Sequence, residues 1–244
     1  MSNLKDFLPY LTPHSVNCTK VRFGENYDGG YVIIDHNLED IRGILSFGVG
    51  PTCLFEKDFV RKYPRSSAYL FDHTIPAPKD LLEKMLFMQK GIGDHSNKFM
   101  QTLNEYIDQY VIPHGGRWIL KMDIEGDEWN VLNQVDLPSL SMFDQLIIEF
   151  HHWRDDRDVY RKVYEKLFKN FCVVHVHANN HAPLLKDDCH QIPEVLEITY
   201  LRRTSNLFFQ ANKESFPTSL DFPNDPTQPD IELNFWPFKT IEKI

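Results

Sequence analysis

The sequence predicts an α/β fold, a mostly parallel sheet with helices on both faces. Short apolar runs alternate with helical periodicity as far as Val176, the pattern that builds βαβ units. Ile44–Phe47 is followed at once by Gly48-Val49-Gly50 and then by a helical stretch, Phe55–Tyr63. Strand, glycine turn, helix is the opening unit of a nucleotide-type Rossmann fold. The third observation is Trp118–Trp129, WILKMDIEGDEW, where the apolar run Ile119–Met122 ends in Asp123, Glu125, Asp127 and Glu128 around Gly126. Carboxylates leaving a buried parallel strand stand at the edge where open α/β sheets bind ligands. The plainer reading, an acidic first turn of helix, suits Asp127 and Glu128 best. Asp123, the first polar residue at the strand tip, is the functional candidate.

At 244 residues the chain fits one large α/β domain about as well as two small ones. Hydrophobic residues at 42% can supply a sizeable core, and a net charge of −9 argues against broad binding to nucleic acid or anionic membrane. Cys18, Cys53, Cys172 and Cys189 have no CxxC spacing and read as reduced thiols. No run reaches the length of a membrane span, and the first residues lack a signal-peptide pattern. The expected setting is therefore cytoplasmic, with no membrane span and no nucleic-acid partner.

In chain order, residues 1–40 read as an arm and a turn-forming segment. Asp28-Gly29-Gly30 precedes a strand, Tyr31–Ile34, and reads either as a hairpin turn or as backbone brought against a ligand. Residues 41–203 read as the core. Tyr69–Phe71 is a strand ending in Asp72, about 20 residues beyond the glycine turn, where an acidic residue takes ribose hydroxyls. Leu86–Gln89 leads into Gly91-Ile92-Gly93-Asp94, and Asn97–Tyr110 reads as a helix with Phe99, Leu103, Tyr106, Ile107 and Tyr110 on its core face. A helix from about Asp127 to Gln134 follows the central strand. Gln145–Phe150 is a strand that exits into His151, His152 and Trp153, with Glu149 near its tip. Val159, Val163, Leu167 and Phe171 mark a further helix. Phe171–Val176 is the next strand, with His175 and His177 on one face, then Asn179, Asn180 and His181; Glu194–Arg203 is a seventh. Residues 204–244 read as a tail docked on the core through Phe235, Trp236 and Phe238. The fingerprint for a dinucleotide lacks its third glycine, since Leu54 and Phe55 occupy that region, which weighs against NAD or FAD.

SFGVG with a following FE (Glu56), FDHT, GIGD, LKMDIEGDEW and IIEFHH occur in this order over roughly residues 22–200. Together with the N-terminal DGGYV they resemble the FkbM-like class I S-adenosylmethionine-dependent methyltransferases. The resemblance implies a Rossmann-like, seven-stranded sheet whose last strand is antiparallel, and S-adenosylmethionine as cofactor. It implies that Phe47, Gly48, Val49 and Gly50 surround the amino acid end of the cofactor, with Glu56 also among the cofactor-binding residues. Asp72 would take the ribose and Asp94 the adenine amino group, with Asp28, Gly29 and Gly30 over the cofactor as a lid. Asp123 would lie between methyl donor and acceptor. Asp127 departs from the small residue many relatives carry there.

Methyl transfer to a hydroxyl needs alignment and a base or metal to take the proton. Asp123, Glu149, His151 and His152 are the catalytic candidates, with a structural role equally open for each histidine. Asp123, Glu149 and His177 are candidate ligands for Mg²⁺ or Mn²⁺; the alternative is a polar cluster without metal. Trp153, His175, His177, Asn179, Asn180 and His181 are the candidate acceptor-side residues. So many donors and acceptors suit a sugar or nucleotide sugar, in glycan synthesis of the capsule or lipopolysaccharide kind. Other readings are a lipid, polyketide or protein acceptor, a non-catalytic cofactor-binding subunit and, third, a dehydrogenase. A homo-oligomer is left open.

Overall fold

A computed structural model describes residues 7–153, 158–186, 191–204 and 206–239. Its central sheet has seven strands: β1 (Ile41–Phe47), β2 (Ser67–Phe71), β3 (Met85–Met88), β4 (Arg117–Met122), β5 (Phe143–His151), β6 (Phe171–Ala178) and β7 (Val195–Arg202). Their order across the sheet is β6-β7-β5-β4-β1-β2-β3. The pairs from β5 to β3 run parallel. β7 runs antiparallel to both neighbours, β5 and β6. The sheet is thus α/β and mostly parallel, with its last strand reversed and inserted.

Side-chain alternation divides the sheet into two faces. Leu45, Phe47, Trp118, Leu120, Met122, Leu146, Ile148 and Phe150 face one way. They pack with α4 (Glu128–Gln134) and α6 (Asp158–Asn170), where Trp129 stacks on Tyr160 at 4.0 Å. Ile44, Ile119 and Ile147 face the other way, against Phe55 and Phe59 of α1 (Leu54–Lys62). A hairpin, Thr19–Gly24 with Gly30–Asp35, covers this second face and adds Phe23, Tyr31 and Ile33 to the core. Buried Gln145 pins the hairpin, donating to Ile34 O at 2.8 Å and accepting from Ile34 N at 2.9 Å. Thr199 Oγ1 donates to Val32 O at 2.6 Å. These side chains satisfy hairpin backbone groups that water does not reach.

The helix expected from Asn97 starts later. Thr102 and Glu105 form a capping box at the N-terminus of α2 (Leu103–Tyr106), which continues through a π turn, Ile107–Val111, into α3 (Ile112–His114). Upstream, Asn97 Oδ1 accepts from the N–H groups of Phe99 and Met100, and Met100–Gln101 pairs with Gly91–Ile92. This local bonding competes with helix, so Phe99 is exposed instead of packed in the core stripe. A short helix, α5 (Leu137–Leu140), precedes β5.

Residues 206–239 run over the hairpin side with only a short strand, Phe209–Ala211, paired with His14–Val16. Phe216, Leu233 and Phe238 are fully buried, and Phe235 packs against the core. Trp236, expected to dock, is 46% exposed. Cys18, Cys53 and Cys172 are free thiols, and Cys189 lies outside the described residues. No described helix is long and apolar enough to cross a membrane.

Candidate active site

A cavity of about 350 Å³ opens at the carboxyl edge of β1, β2 and β4. Phe47, Gly48, Gly50, Asp72, Asp123 and Asp28 all line it, from four segments. Gly48 has φ +68°, and a Cβ there would lie 1.6 Å from Asp123 O, so only glycine lets β1 and β4 end this close. Gly48 N donates to Phe71 O at 3.1 Å and Asp123 N donates to Phe47 O at 3.1 Å, which ties the three strand ends together. Asp72 is nearly buried, and its Oδ1 accepts from Thr74 N at 2.8 Å and Thr74 Oγ1 at 2.6 Å. Both bonds fall on one oxygen.

A smaller cavity of about 130 Å³ shares Asp28, Gly48, Gly50 and Asp123 and adds Gly29, Val49, Glu56, Tyr31 and Lys121. Glu56 is buried and accepts from Ser46 Oγ, so it braces the glycine turn from α1. Gly30 is forced for a packing reason, since a Cβ would lie 2.0 Å from Glu25 O. The DGG segment is therefore a hairpin turn that also brings Asp28 and Gly29 to the cavities. Asp94 is not among the residues lining either cavity; it is exposed and bonds His95 Nδ1 at 2.6 Å. Gly91, Ile92 and Met100 form that wall.

Beyond Asp123 the register sets a polar row across four strands. Asp123 follows Met122, which pairs with Ile148, so it stands level with Glu149; Glu149 pairs with Glu197, and Glu197 with His177. Tyr31 donates to Asp123 Oδ2 at 3.1 Å, and Lys121 Nζ lies 3.6 Å from the same oxygen. Burial raises the Asp123 pKa, against the pull of Lys121 and His151. Glu149 goes further, well above the carboxylate range, through burial and then repulsion from Asp123, Glu197 and Asp28. His151 bridges the acids, with Nδ1 3.2 Å from Glu128 Oε1 and Nε2 3.4–3.5 Å from Glu125 and Glu149. Burial works against its charge, but the Glu128 hydrogen bond and the surrounding carboxylates raise its pKa above the ordinary 6.5.

Several expected site residues do other work. His152 adopts φ +53°, which turns its ring to Glu194 Oε1 at 3.1 Å and into solvent. Trp153 is fully buried in the core and donates to Pro193 O at 2.8 Å. His175 bonds Asp221 at 2.8 Å. Asn180 clasps the C-terminal segment, donating to Asp225 O at 3.0 Å and accepting from Asp225 N at 2.7 Å. His181 is exposed, with its backbone N–H donating to Asn179 Oδ1 at 2.9 Å. Asn179 reaches Glu149, its Nδ2 lying 3.4 Å from Oε1, but Asn179, Glu149 and His151 are not among the residues lining either cavity.

The expected metal trio of Asp123, Glu149 and His177 does not converge. His177 commits Nδ1 to Glu197 and Nε2 to Asp230, each at 3.1 Å. Burial opposes its charge, yet those two acids push its pKa up to about 10, so it carries a proton and offers no lone pair. Two other groups hold ligand-capable atoms within 4.8 Å of one another, Asp123–Glu125–His151 and Asp28–Glu149–Glu197. Sequence reading undervalued Glu128, which is fully buried and whose Oε1 also accepts from Ile124 N and Gly126 N. Its spacing from Asp123 within DIEGDE was the one available signal.

A scan against protein-family models finds no match, and neither does a comparison with curated proteins. Among solved structures, the chain is similar to a fibrillarin/Nop5p complex at 8% identity and TM-score 0.40, covering 68% of this chain and 74% of that one. The Methanococcus jannaschii fibrillarin pre-rRNA processing protein gives 11% identity and TM-score 0.37, covering 76% and 88%. N,N-8-amino-8-demethyl-D-riboflavin dimethyltransferase (RosA) from Streptomyces davawensis gives 14% and 0.34; 69% of this chain spans about half (51%) of that one. Likeness this slight transfers no residue role. The strand order with its inserted antiparallel β7 is itself the class I methyltransferase fold.

Proposed function

We propose that the protein is an S-adenosylmethionine-dependent O-methyltransferase of the FkbM-like kind, acting on a hydroxyl of a sugar or nucleotide sugar. The observation that carries this is the convergence of the Gly48 turn, Asp72 and Asp123 on one cavity at the carboxyl edge. The residues fit the cofactor: the glycine turn leaves room for backbone approach, and Asp72 keeps its Oδ2 outside the Thr74 bonds, for ribose hydroxyls. When bound, the cofactor supplies an electrophilic methyl on a sulfonium. Asp123, held by Tyr31 and Lys121, orients the acceptor hydroxyl. His151 Nε2, the nitrogen not held by Glu128, would accept the proton of the acceptor hydroxyl as that oxygen takes the methyl group from sulfur, which would leave as a neutral thioether. Because its pKa is raised, His151 accepts a proton only on the alkaline side, so activity should rise with pH through a value above 6.5. A metal is given no part in this step.

Asp123, Glu149, His151 and Asn179 make the acceptor side polar, which favours a polyhydroxylated ligand over a lipid or polyketide. A role in surface glycan synthesis is the setting this acceptor class supports. Incubation with methyl-labelled cofactor tests it, using a panel of nucleotide sugars and methyl glycosides beside lipid and peptide panels. Label in the sugars is expected; label only in lipid or peptide would overturn the acceptor class.

A further inference from the structure

The turn between the hairpin strands reaches both cavities, and side chains from outside it fix its shape. Asn26, Tyr27 and Asp28 are exposed, and Gly24 and Gly29 take φ of +92° and +83°. Such a turn has many accessible conformations unless contacts from elsewhere select one. Two side chains supply those contacts. Arg22 folds its guanidinium back over the turn, where Nε and Nη2 donate to Glu25 O at 3.0 and 2.8 Å. Nη2 also donates to Tyr27 O at 3.0 Å. Its Nη1 donates to Leu220 O at 3.4 Å, and the guanidinium carbon lies 5.3 Å from the centre of the Phe222 ring. Leu220 and Phe222 belong to the C-terminal segment. From the same segment Asn224, 3% exposed, donates through Nδ2 to Asp28 Oδ1 at 3.3 Å and to Glu197 Oε1 at 2.6 Å. One amide thus ties the carboxylate of the turn to β7. The segment is itself anchored at this point, since Asp221 bonds His175 Nε2 of β6 at 2.8 Å and accepts from Thr218 N at 2.6 Å.

We propose that Arg22 and Asn224 are positioning residues of the cofactor site, a clamp by which the C-terminal segment holds Asp28 over the two cavities. Asp28 lines both, so its carboxylate stands where a ligand spanning them passes. Arg22 and Asn224 are not among the residues lining either cavity, so each acts through the turn and not by touching the cofactor. A turn fixed before binding spares the ligand the entropy of ordering it, and the saving appears as affinity. The guanidinium suits this work because its planar fork meets two turn carbonyls and one from the segment at once. A lysine ammonium has no such geometry. Gly30 belongs to the same arrangement, since a Cβ there would lie 2.4 Å from Arg22 Nη2. The inference rests on the proposed cofactor reading of these cavities. It makes Asn224, 196 positions beyond Asp28 in the chain, part of the machinery of the site.

The test has two arms. In the first, calorimetry measures S-adenosylhomocysteine affinity in full-length Arg22→Lys, Asn224→Ala, Asp28→Ala and the Asn224→Ala, Asp28→Ala double variant. Each single change should weaken binding about fivefold, the worth of one net hydrogen bond. The double variant should bind about as the weaker single one, because Asn224 acts through Asp28. Losses that multiply in the double variant, or wild-type affinity in both Arg22→Lys and Asn224→Ala, would overturn the proposal. The second arm needs no cofactor. Chymotrypsin digestion with products read by mass follows cleavage after Tyr27, which is 49% exposed within the turn. Cleavage there should be about fivefold faster in Arg22→Lys and Asn224→Ala, with an unchanged rate after exposed Phe99. Equal rates after Tyr27 in wild type and variants would overturn the clamp, as would an equal rise at both sites, the mark of general loosening. A wild type that binds no S-adenosylhomocysteine yet keeps the Tyr27 difference would overturn the cofactor reading while supporting the clamp, so the two failures are distinguishable.

Discussion

Gly48 is where the cavity is most sensitive to a single atom. Gly48→Ala adds a left-handed backbone cost of about 1–2 kcal/mol and an overpacking cost of about 1–3 kcal/mol, since its Cβ must displace the Asp123 carbonyl. A loss of about 2–5 kcal/mol in urea denaturation is expected, and a neutral variant would contradict the turn described. Glu128 is the second such residue. Its hydrogen bond and charge raise the His151 pKa, so Glu128→Gln should lower it, as followed by imidazole resonances in chelator-treated protein. An unmoved titration would contradict that pairing. Gly48, Asp72 and Asp123 could be picked out from sequence because strand tips announce themselves by an abrupt change from apolar to polar. Glu128 could not, because an acid in a first helical turn reads the same whether it faces solvent or caps a buried loop.

At the scale of elements, the hairpin is held to the sheet by few contacts that matter greatly. Gln145→Leu removes both bonds to Ile34 and leaves a buried N–H and C=O unpaired, at about 1–3 kcal/mol for each group. The expected result is a loss of about 2–6 kcal/mol and faster hydrogen exchange at the Ile34 amide; unchanged exchange would contradict the anchoring. The core strands were legible because each is a short apolar run closed by glycine or charge. The helix at Asn97 was not, because the apolar spacing of Phe99 matched a helical face while the Asn97 side chain bonded its own backbone. Histidines at 175 and 177 were correctly placed on one face, but sequence spacing does not say that the C-terminal segment covers that face.

For the whole molecule, the C-terminal segment is joined to the sheet by ionised groups. His177 has a folded pKa of about 10 against an ordinary 6.5, so its stabilising contribution is complete below about pH 6.5 and is lost as pH rises towards 10. In chelator, stability should fall over that window, and His177→Gln should flatten the fall; equal slopes would contradict the link. The topology that brings His177, Glu197, Glu149 and Asp123 into one row depends on β7 entering between β5 and β6, which no local stretch encodes. The central claim is that the Gly48–Asp72–Asp123 cavity binds a methyl-transfer cofactor. Calorimetry with S-adenosylhomocysteine tests it most directly. Binding to the wild type, weakened by about 1.5–3 kcal/mol in Asp72→Ala through lost hydrogen bonds to a charged acceptor, is the predicted result. Binding of NAD with no binding of either methyl cofactor would contradict it.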